Sequence, residues 1–124
     1  MELEIFKCKH CGQIAKKVKA TGAKLVCCGD EMELIVPNTT DAAKEKHVPV
    51  LEVKGNVATV TVSTVAHPMT EAHLIEWVIL ATNQGSYKYN LKANDEPVAK
   101  FNLREGEKVE YVYAYCNLHG LWRA

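Results

Sequence analysis

Four of the chain's five cysteines fall within its first 28 residues, as Cys8-Lys9-His10-Cys11 and Cys27-Cys28. Nothing else in the sequence limits the fold as much. The pieces around them, Leu3 to Lys7, Ile14 to Val18, Lys24 to Val26 and Met32 to Val36, are strand-like but too short to bury a core of their own. A bound metal must therefore supply much of the stability of this segment. The two-residue spacing of Cys8 and Cys11 lets two thiolates and nearby backbone N–H groups wrap one ion, with Gly12 as permissive backbone. Neighbouring side chains of an extended chain point opposite ways. Cys27 and Cys28 can thus reach one metal only across a sharp bend, which Gly29 eases. Thr21-Gly22-Ala23 and Gly29-Asp30-Glu31 read as turns. Four thiolates suit tetrahedral zinc or a single iron, and spacing alone favours a structural zinc knuckle. His10, between two ligands, is read as facing solvent.

The chain has 124 residues, 48% of them hydrophobic, enough for one ordinary domain or a small domain plus a miniature one. Fifteen basic and fifteen acidic residues cancel. No global field would draw in nucleic acid or an anionic membrane, so neither is expected as a partner. The start, Met1-Glu2-Leu3-Glu4, lacks the basic and apolar regions of a secretory signal, and no apolar run approaches the ~20 residues of a membrane span. The expectation is a cytoplasmic protein. There thiols stay reduced and serve as ligands more readily than as disulfides, and an odd cysteine count fits poorly with a disulfide framework.

Pro37-Asn38-Thr39-Thr40-Asp41 breaks the composition and carries turn and N-cap chemistry, which sets a domain boundary between residues 1–36 and 37–124. Asp41 to His47 has room for about one helical turn, which Val48-Pro49 ends. Beyond it, strands are expected at Pro49 to Val53, Val57 to Val62, Leu74 to Leu80, Ser86 to Leu91, Val98 to Leu103 and Lys108 to Tyr115, the last with Val109, Tyr111, Tyr113 and Tyr115 on one face. Lys54-Gly55-Asn56 is a tight hairpin turn. Six or seven short strands and no long amphipathic helix argue for an immunoglobulin-like antiparallel β-sandwich, making the chain mainly β. A barrel is the other option.

Metal-ligating side chains punctuate the loops of this second region. Cys116 and His119, three apart at a strand end, put a thiolate and an imidazole on one turn. His47, His67 and His73 each adjoin a helix-breaking or loop-forming residue, and loops are where sites are usually built. Singly, each histidine is more often a surface or packing residue than a ligand. If all fold onto the Cys116 turn, four nitrogens and one sulfur exceed what tetrahedral zinc needs and suit iron with one position left open. Glu45 and Lys46, ordinarily a solvated linker pair, would then flank the open position: Lys46 to attract and hydrogen-bond an anion, Glu45 to occupy the vacancy between turnovers. Glu76 and Trp77 read as structural and Trp122 as a packing cap. Tyr115 either donates a hydrogen bond near the site or packs in the core.

Cys8-x-x-Cys11 followed by Cys27-Cys28-Gly29 resembles the desulforedoxin-like N-terminal domain of desulfoferrodoxin. Glu45-Lys46-His47-Val48-Pro49, His67-Pro68-Met69, His73 with Ile75-Glu76-Trp77, and Cys116-Asn117-Leu118-His119-Gly120 resemble the superoxide reductase domain of the same family, so the likeness spans the chain. It implies the two-iron class. One iron would be held by Cys8, Cys11, Cys27 and Cys28. The other would sit among four equatorial histidines, His47, His67, His73 and His119, with Cys116 as axial thiolate and an open sixth position. The implied activity is one-electron reduction of superoxide to hydrogen peroxide, with Lys46 and Glu45 as the residues beside the substrate position. A rubredoxin-like electron donor and a homodimer are implied as partners. Two other classes stand against this reading: a zinc-stapled β-sandwich binding module, and a pure electron-transfer protein with both irons saturated.

Overall fold

The computed structural model describes residues 2–40, 44–62 and 67–124, apart from the side chains of residues 44 and 45. The chain divides into two compact units, Glu2–Val36 and Pro37–Ala124. Among the described residues no helix is long and apolar enough to cross a membrane.

The first unit is built from β1 (Ile5–Lys7), β2 (Ile14–Lys16), β3 (Val26–Cys27), β4 (Asp30–Glu31) and β5 (Glu33–Leu34). These form a small antiparallel sheet in the order β2-β1-β5 and a separate β3-β4 hairpin. Its buried hydrophobic side chains are Ile5, Cys8 and Met32, while Val18, Val26, Leu34 and Val36 are exposed. So small a unit lacks the volume to cover them. Asp30 and Glu31, expected in a turn, instead pair with Cys27 and Val26, and the turn itself is Cys28-Gly29. Both residues have positive φ, 53° and 80°. That is the combination a two-residue type I′ hairpin loop demands, and it is how two adjacent cysteines come to face the same point.

The second unit begins with the short helix α1 (Lys44–His47); residues 41–43, where the sequence places the start of this turn, lie outside the described residues. Seven strands follow: β6 (Pro49–Lys54), β7 (Val57–Val62), β8 (Ile75–Thr82), β9 (Gly85–Asn90), β10 (Val98–Asn102), β11 (Val109–Cys116) and β12 (Gly120–Arg123). They form two antiparallel sheets, ordered β10-β7-β6 and β12-β11-β8-β9. Alternation along β7 turns Ala58, Val60 and Val62 inward, where they meet Val78, Leu80, Val112 and Ala114 from the other sheet and Ala99 and Phe101 from β10. Gly55, with φ of 60°, opens the hairpin between β6 and β7. This is the two-sheet sandwich the strand pattern predicts.

Two features depart from simple alternation. β11 carries an extra residue between Val109 and Tyr111, so Glu110 bulges and Val109 packs on the core side with Val112 rather than beside the tyrosines. Tyr111 and Tyr113 are left together on the other face, their rings 6.2 Å apart. At the opposite end Tyr115 pairs with Trp77 but Cys116 pairs with Ile75, so Glu76 is the odd residue on β8. This second bulge keeps Ile75 and Cys116 both directed into the core. β12 is a strand the sequence reading does not contain: it pairs Gly120 to Arg123 with Cys116 to Tyr113 and buries Trp122 completely.

At the far end of the sandwich, buried Glu107 accepts hydrogen bonds from the Thr82 hydroxyl, from Tyr87 Oη at 2.6 Å and from the Arg104 amide at 2.9 Å. These donors, Thr82 foremost, hold its carboxyl down to about 2.

Candidate metal centres

In the first unit the four Sγ atoms of Cys8, Cys11, Cys27 and Cys28 lie within 4.8 Å of one another. Cys27 Sγ is 3.6 Å from that of Cys11 and 3.9 Å from that of Cys28. A tetrahedron with metal–sulfur bonds of about 2.3 Å has edges of about 3.8 Å, so the cluster has the dimensions of a closed four-thiolate site. The backbone reinforces it: the amides of His10 and Cys11 point at Cys8 Sγ from 3.4 and 3.5 Å. The Cys11 amide above all holds the Cys8 thiol down to about 6. Cys27 is pushed up to about 12, chiefly by its thiol contact with Cys11, and Cys28 is also raised, again chiefly through Cys11. Four thiols this close cannot all ionise unaided, so binding a cation here expels protons. His10 is exposed and donates through Nε2 to Asp30 Oδ2 at 2.6 Å, tying the first cysteine turn to the hairpin that carries the second pair.

The second unit gathers side chains from four separate places. His47 ends α1, His67 follows β7, His73 precedes β8, and Cys116 and His119 flank the β11–β12 turn. One ligand atom from each of His47, His67, His73 and Cys116 lies within 4.8 Å of the others. His119 joins them through Nδ1, 3.1 Å from His47 Nε2 and 3.9 Å from Cys116 Sγ. The four imidazole centroids trace a near-square. Neighbouring rings are 4.7, 4.7, 5.1 and 4.9 Å apart at interplanar angles of 75–83°, and the His47–His73 diagonal is 6.5 Å. The rings stand like the blades of a propeller around a common centre.

The donor atoms fit a metal. His67 Nδ1 lies 2.6 Å from the Pro68 carbonyl, to which it can only donate, so Nε2 carries the lone pair. That Nε2 and His73 Nε2 are buried with no hydrogen-bond partner. Two orphaned buried nitrogens in one cluster are costly unless something binds them. Burial pushes His67 down to about 4 and lowers His73, which keeps both rings neutral and able to ligate. Cys116 is fully buried, and burial raises its thiol, but the amides of Leu118 and His119 pull the other way and favour a thiolate once a cation is present.

Other residues of the turn hold this geometry. The Trp122 indole stacks on His47 at 5.0 Å and donates through Nε1 to the His119 carbonyl. Asn117 binds both peptide groups that flank His73: Oδ1 accepts from the Leu74 amide at 3.0 Å and Nδ2 donates to the Ala72 carbonyl at 3.1 Å. Its place between Cys116 and His119 was the only sequence signal for this role. Gly120 has φ of 81°, and a Cβ there would sit 3.1 Å from Thr40 Oγ1. Lys46 is exposed, and its charge reaches His73, whose proton affinity it lowers. The Glu45 side chain lies outside the described residues. Tyr115, being next to Cys116 in the strand, points to the opposite face and stacks on Trp77 at 5.3 Å and 10° rather than donating near the cluster. Glu76 is exposed, and Trp77 is half-buried.

A chain that combines an antiparallel sandwich carrying an N₄S donor cluster at one end with a separate compact four-thiol unit defines a metal-binding oxidoreductase class. Residues 39–124 match the desulfoferrodoxin family and residues 1–35 match the desulfoferrodoxin N-terminal domain. The chain belongs to the desulfoferrodoxin family. It is 50% identical over 123 residues to desulfoferrodoxin from Nitratidesulfovibrio vulgaris, covering 99% of this chain and 96% of that one. The structure of the superoxide reductase from Treponema pallidum superposes with a TM-score of 0.84 at 36% identity, covering 100% of this chain and 99% of that one. The superoxide reductase (1Fe-SOR) from Giardia intestinalis aligns at 37% identity with a TM-score of 0.54, over 65% of this chain and 96% of that one.

Proposed function

We propose that this protein is a superoxide reductase that converts superoxide to hydrogen peroxide with one electron and two protons, in defence against oxidative stress. The observation that carries the reading is the near-square of four imidazoles around a buried thiol, with His67 Nε2 and His73 Nε2 unpartnered. In this reading residues 1–36 are a desulforedoxin-like Fe(Cys)₄ domain, and residues 37–124 are the superoxide reductase domain. The likeness to superoxide reductases, one of them named 1Fe-SOR, supports iron at the histidine cluster, and iron is the metal we assign to the four-cysteine site as well. His47, His67, His73, His119 and Cys116 would hold the iron, which would supply the electron.

The chain's own residues do the rest. Neutral imidazoles and one thiolate leave a ferrous centre with net positive charge, which favours an anionic substrate locally. Exposed Lys46 adds attraction and orients the anion. Its ammonium would also order solvent beside the substrate position as a source of protons. Glu45, the residue before Lys46, would take the role of capping the metal between turnovers. The Pro68 carbonyl and the Trp122 ring fix His67 and His47, so little reorganisation accompanies the change in charge.

The electron donor is a small rubredoxin-like carrier. The exposed Val18, Val26, Leu34 and Val36 of the first unit support pairing of two copies as a homodimer. Thiolate sites of this kind persist in a reducing cytoplasm, which is where the protein works.

Metal content and the visible spectrum, as isolated and after oxidation, test the reading. Two irons are expected, one with tetrathiolate bands and one that gains a thiolate-to-ferric band on oxidation and shifts it with azide. Zinc on the cysteines with no metal at the histidines would return the chain to a binding module. A second iron indifferent to azide and cyanide would make it an electron carrier.

A further inference from the structure

Lys46 and His47 close a segment that begins at Asn38, and both of its ends are tied to β12. That strand is the outermost of its sheet and pairs with β11 on one side only. Such an edge leaves the main-chain groups of every second residue facing away from the sheet. In β12 these belong to Leu121 and Arg123, and Asn38 takes three of them. Its amide donates to the Leu121 carbonyl at 3.0 Å, its Nδ2 donates to the Arg123 carbonyl at 2.9 Å, and its Oδ1 accepts from the Arg123 amide at 2.8 Å. One carboxamide thus stands in for the peptide group of a neighbouring strand. Asn38 has a φ of 63°, the left-handed conformation that asparagine tolerates better than most residues. Two residues on, Thr40 seats over Gly120 so closely that a Cβ there would be 3.1 Å from Thr40 Oγ1.

The other end of the segment rests on the same strand. His47 stacks at 5.0 Å on the indole of Trp122, which lies between the two residues that Asn38 holds. Trp122 is fully buried and donates to the His119 carbonyl at 3.1 Å, so it does not yield. The chain that carries Glu45 and Lys46 therefore runs between two anchors on one rigid strand.

We infer that Asn38 is a positioning residue for the superoxide reaction: by pinning residues 38–40 to β12 it fixes where the chain delivers Lys46 beside the histidine cluster. The inference rests on the reading of that cluster as the superoxide-reacting site and of Lys46 as its attracting cation. Asn38 touches no reacting atom. It acts by restricting the backbone, because a segment tied at both ends samples fewer conformations and keeps the ammonium in its productive place. His47 keeps its stack on Trp122 without the clamp, so the metal ligands stay while Lys46 strays.

Asn38→Gly removes the two side-chain bonds, accepts the same φ and keeps the amide bond to Leu121, so it isolates the clamp. In full-length, two-iron protein it should leave the spectra of both irons unchanged, lower the second-order rate with superoxide several-fold and weaken its ionic-strength dependence. The deciding measurement is the double variant. If Asn38 acts through Lys46, then Asn38→Gly combined with Lys46→Ala reacts as fast as Lys46→Ala alone. Losses that multiply in the double variant, or an Asn38→Gly rate equal to the parent's, would overturn the proposal.

A second readout needs no superoxide. Amide hydrogen exchange, resolved by peptide, should rise in Asn38→Gly from Lys44 to Val48 and over β12, and stay unchanged over β9 and β10. A uniform rise across the chain, the mark of a merely less stable fold, or no rise from Lys44 to Val48, would also overturn it. Exchange separates this inference from the proposed activity. A parent protein inert to superoxide whose variant still shows the local rise sinks the activity and keeps Asn38 as the anchor of the Lys46 segment.

Discussion

Asn117→Ala is the perturbation whose effect can be worked most fully from the geometry. The side chain makes two hydrogen bonds, to the Leu74 amide at 3.0 Å and the Ala72 carbonyl at 3.1 Å, and these peptide groups lie immediately on either side of His73. The backbone bond from the Asn117 amide to the Leu74 carbonyl survives the substitution. Each lost bond is worth about 0.5–1.5 kcal/mol net, so the pair sums to roughly 1–3 kcal/mol. The loss falls on the loop that presents His73 rather than on the sandwich core, because Ala72 and Leu74 lie outside the strands. If most of it appears in the placement of one metal-ligating nitrogen, affinity at the second site falls by about 10- to 100-fold. A chelator competition followed at the thiolate-to-ferric band measures this, with the four-thiolate band as internal control. The first site should keep its affinity. A second-site affinity within about twofold of the parent, in a variant whose fold is intact, would refute the clamp and the energetic weight placed on it.

Other perturbations separate the two units and the roles within them. Gly29→Ala forces a side chain into a φ of 80° at the cysteine hairpin. It should cost about 1–2 kcal/mol in the first unit, read as weaker metal retention there with the second site's spectrum unchanged. Lys46→Ala should slow the reaction with superoxide and weaken its ionic-strength dependence with both metals retained, measured by pulse radiolysis at several salt concentrations. Glu107 has a folded value near 2 against an ordinary 4.5, so the unfolded chain binds more protons in that interval. Its stabilisation is therefore complete above about pH 4.5 and is lost as pH falls toward 2. Denaturant melts of metal-free protein should show an acid-side loss that flattens in Glu107→Gln, and identical acid limbs would remove Glu107 from the account.

The sandwich was legible because its strands alternate cleanly, as Val57 to Val62 do, and because Gly55-Asn56 and Asn83-Gln84 punctuate them. The donor residues were legible as residues, since histidines and a cysteine beside loop-forming neighbours stand out. Their convergence was not a matter of spacing: His47, His67 and His119 are brought together by chain crossings that only the fold supplies. What escaped the sequence depends on register. The bulge at Glu110 moves Val109 off the tyrosine face, and the one at Glu76 sets Trp77 against Tyr115, yet neither leaves a local pattern in four or five residues. β12 is too short, and too close to the Cys116 turn, to be read as a strand. Asn117 acts through Leu74 and Ala72, 43 and 45 residues away, and the leading partner of Glu107, Thr82, is 25 residues away, where sequence proximity carries no information.

The measurement that tests the central claim most directly is the product balance when fully reduced protein meets superoxide. Superoxide is added as potassium superoxide in an aprotic solvent under anaerobic conditions, and both peroxide and dioxygen are quantified as the second iron oxidises. The account predicts one hydrogen peroxide for each superoxide consumed, one second-site iron oxidised, and no dioxygen released. Dioxygen appearing alongside half that peroxide would mean dismutation, and an iron that stays ferrous would mean that the cluster of His47, His67, His73, His119 and Cys116 is not where superoxide reacts.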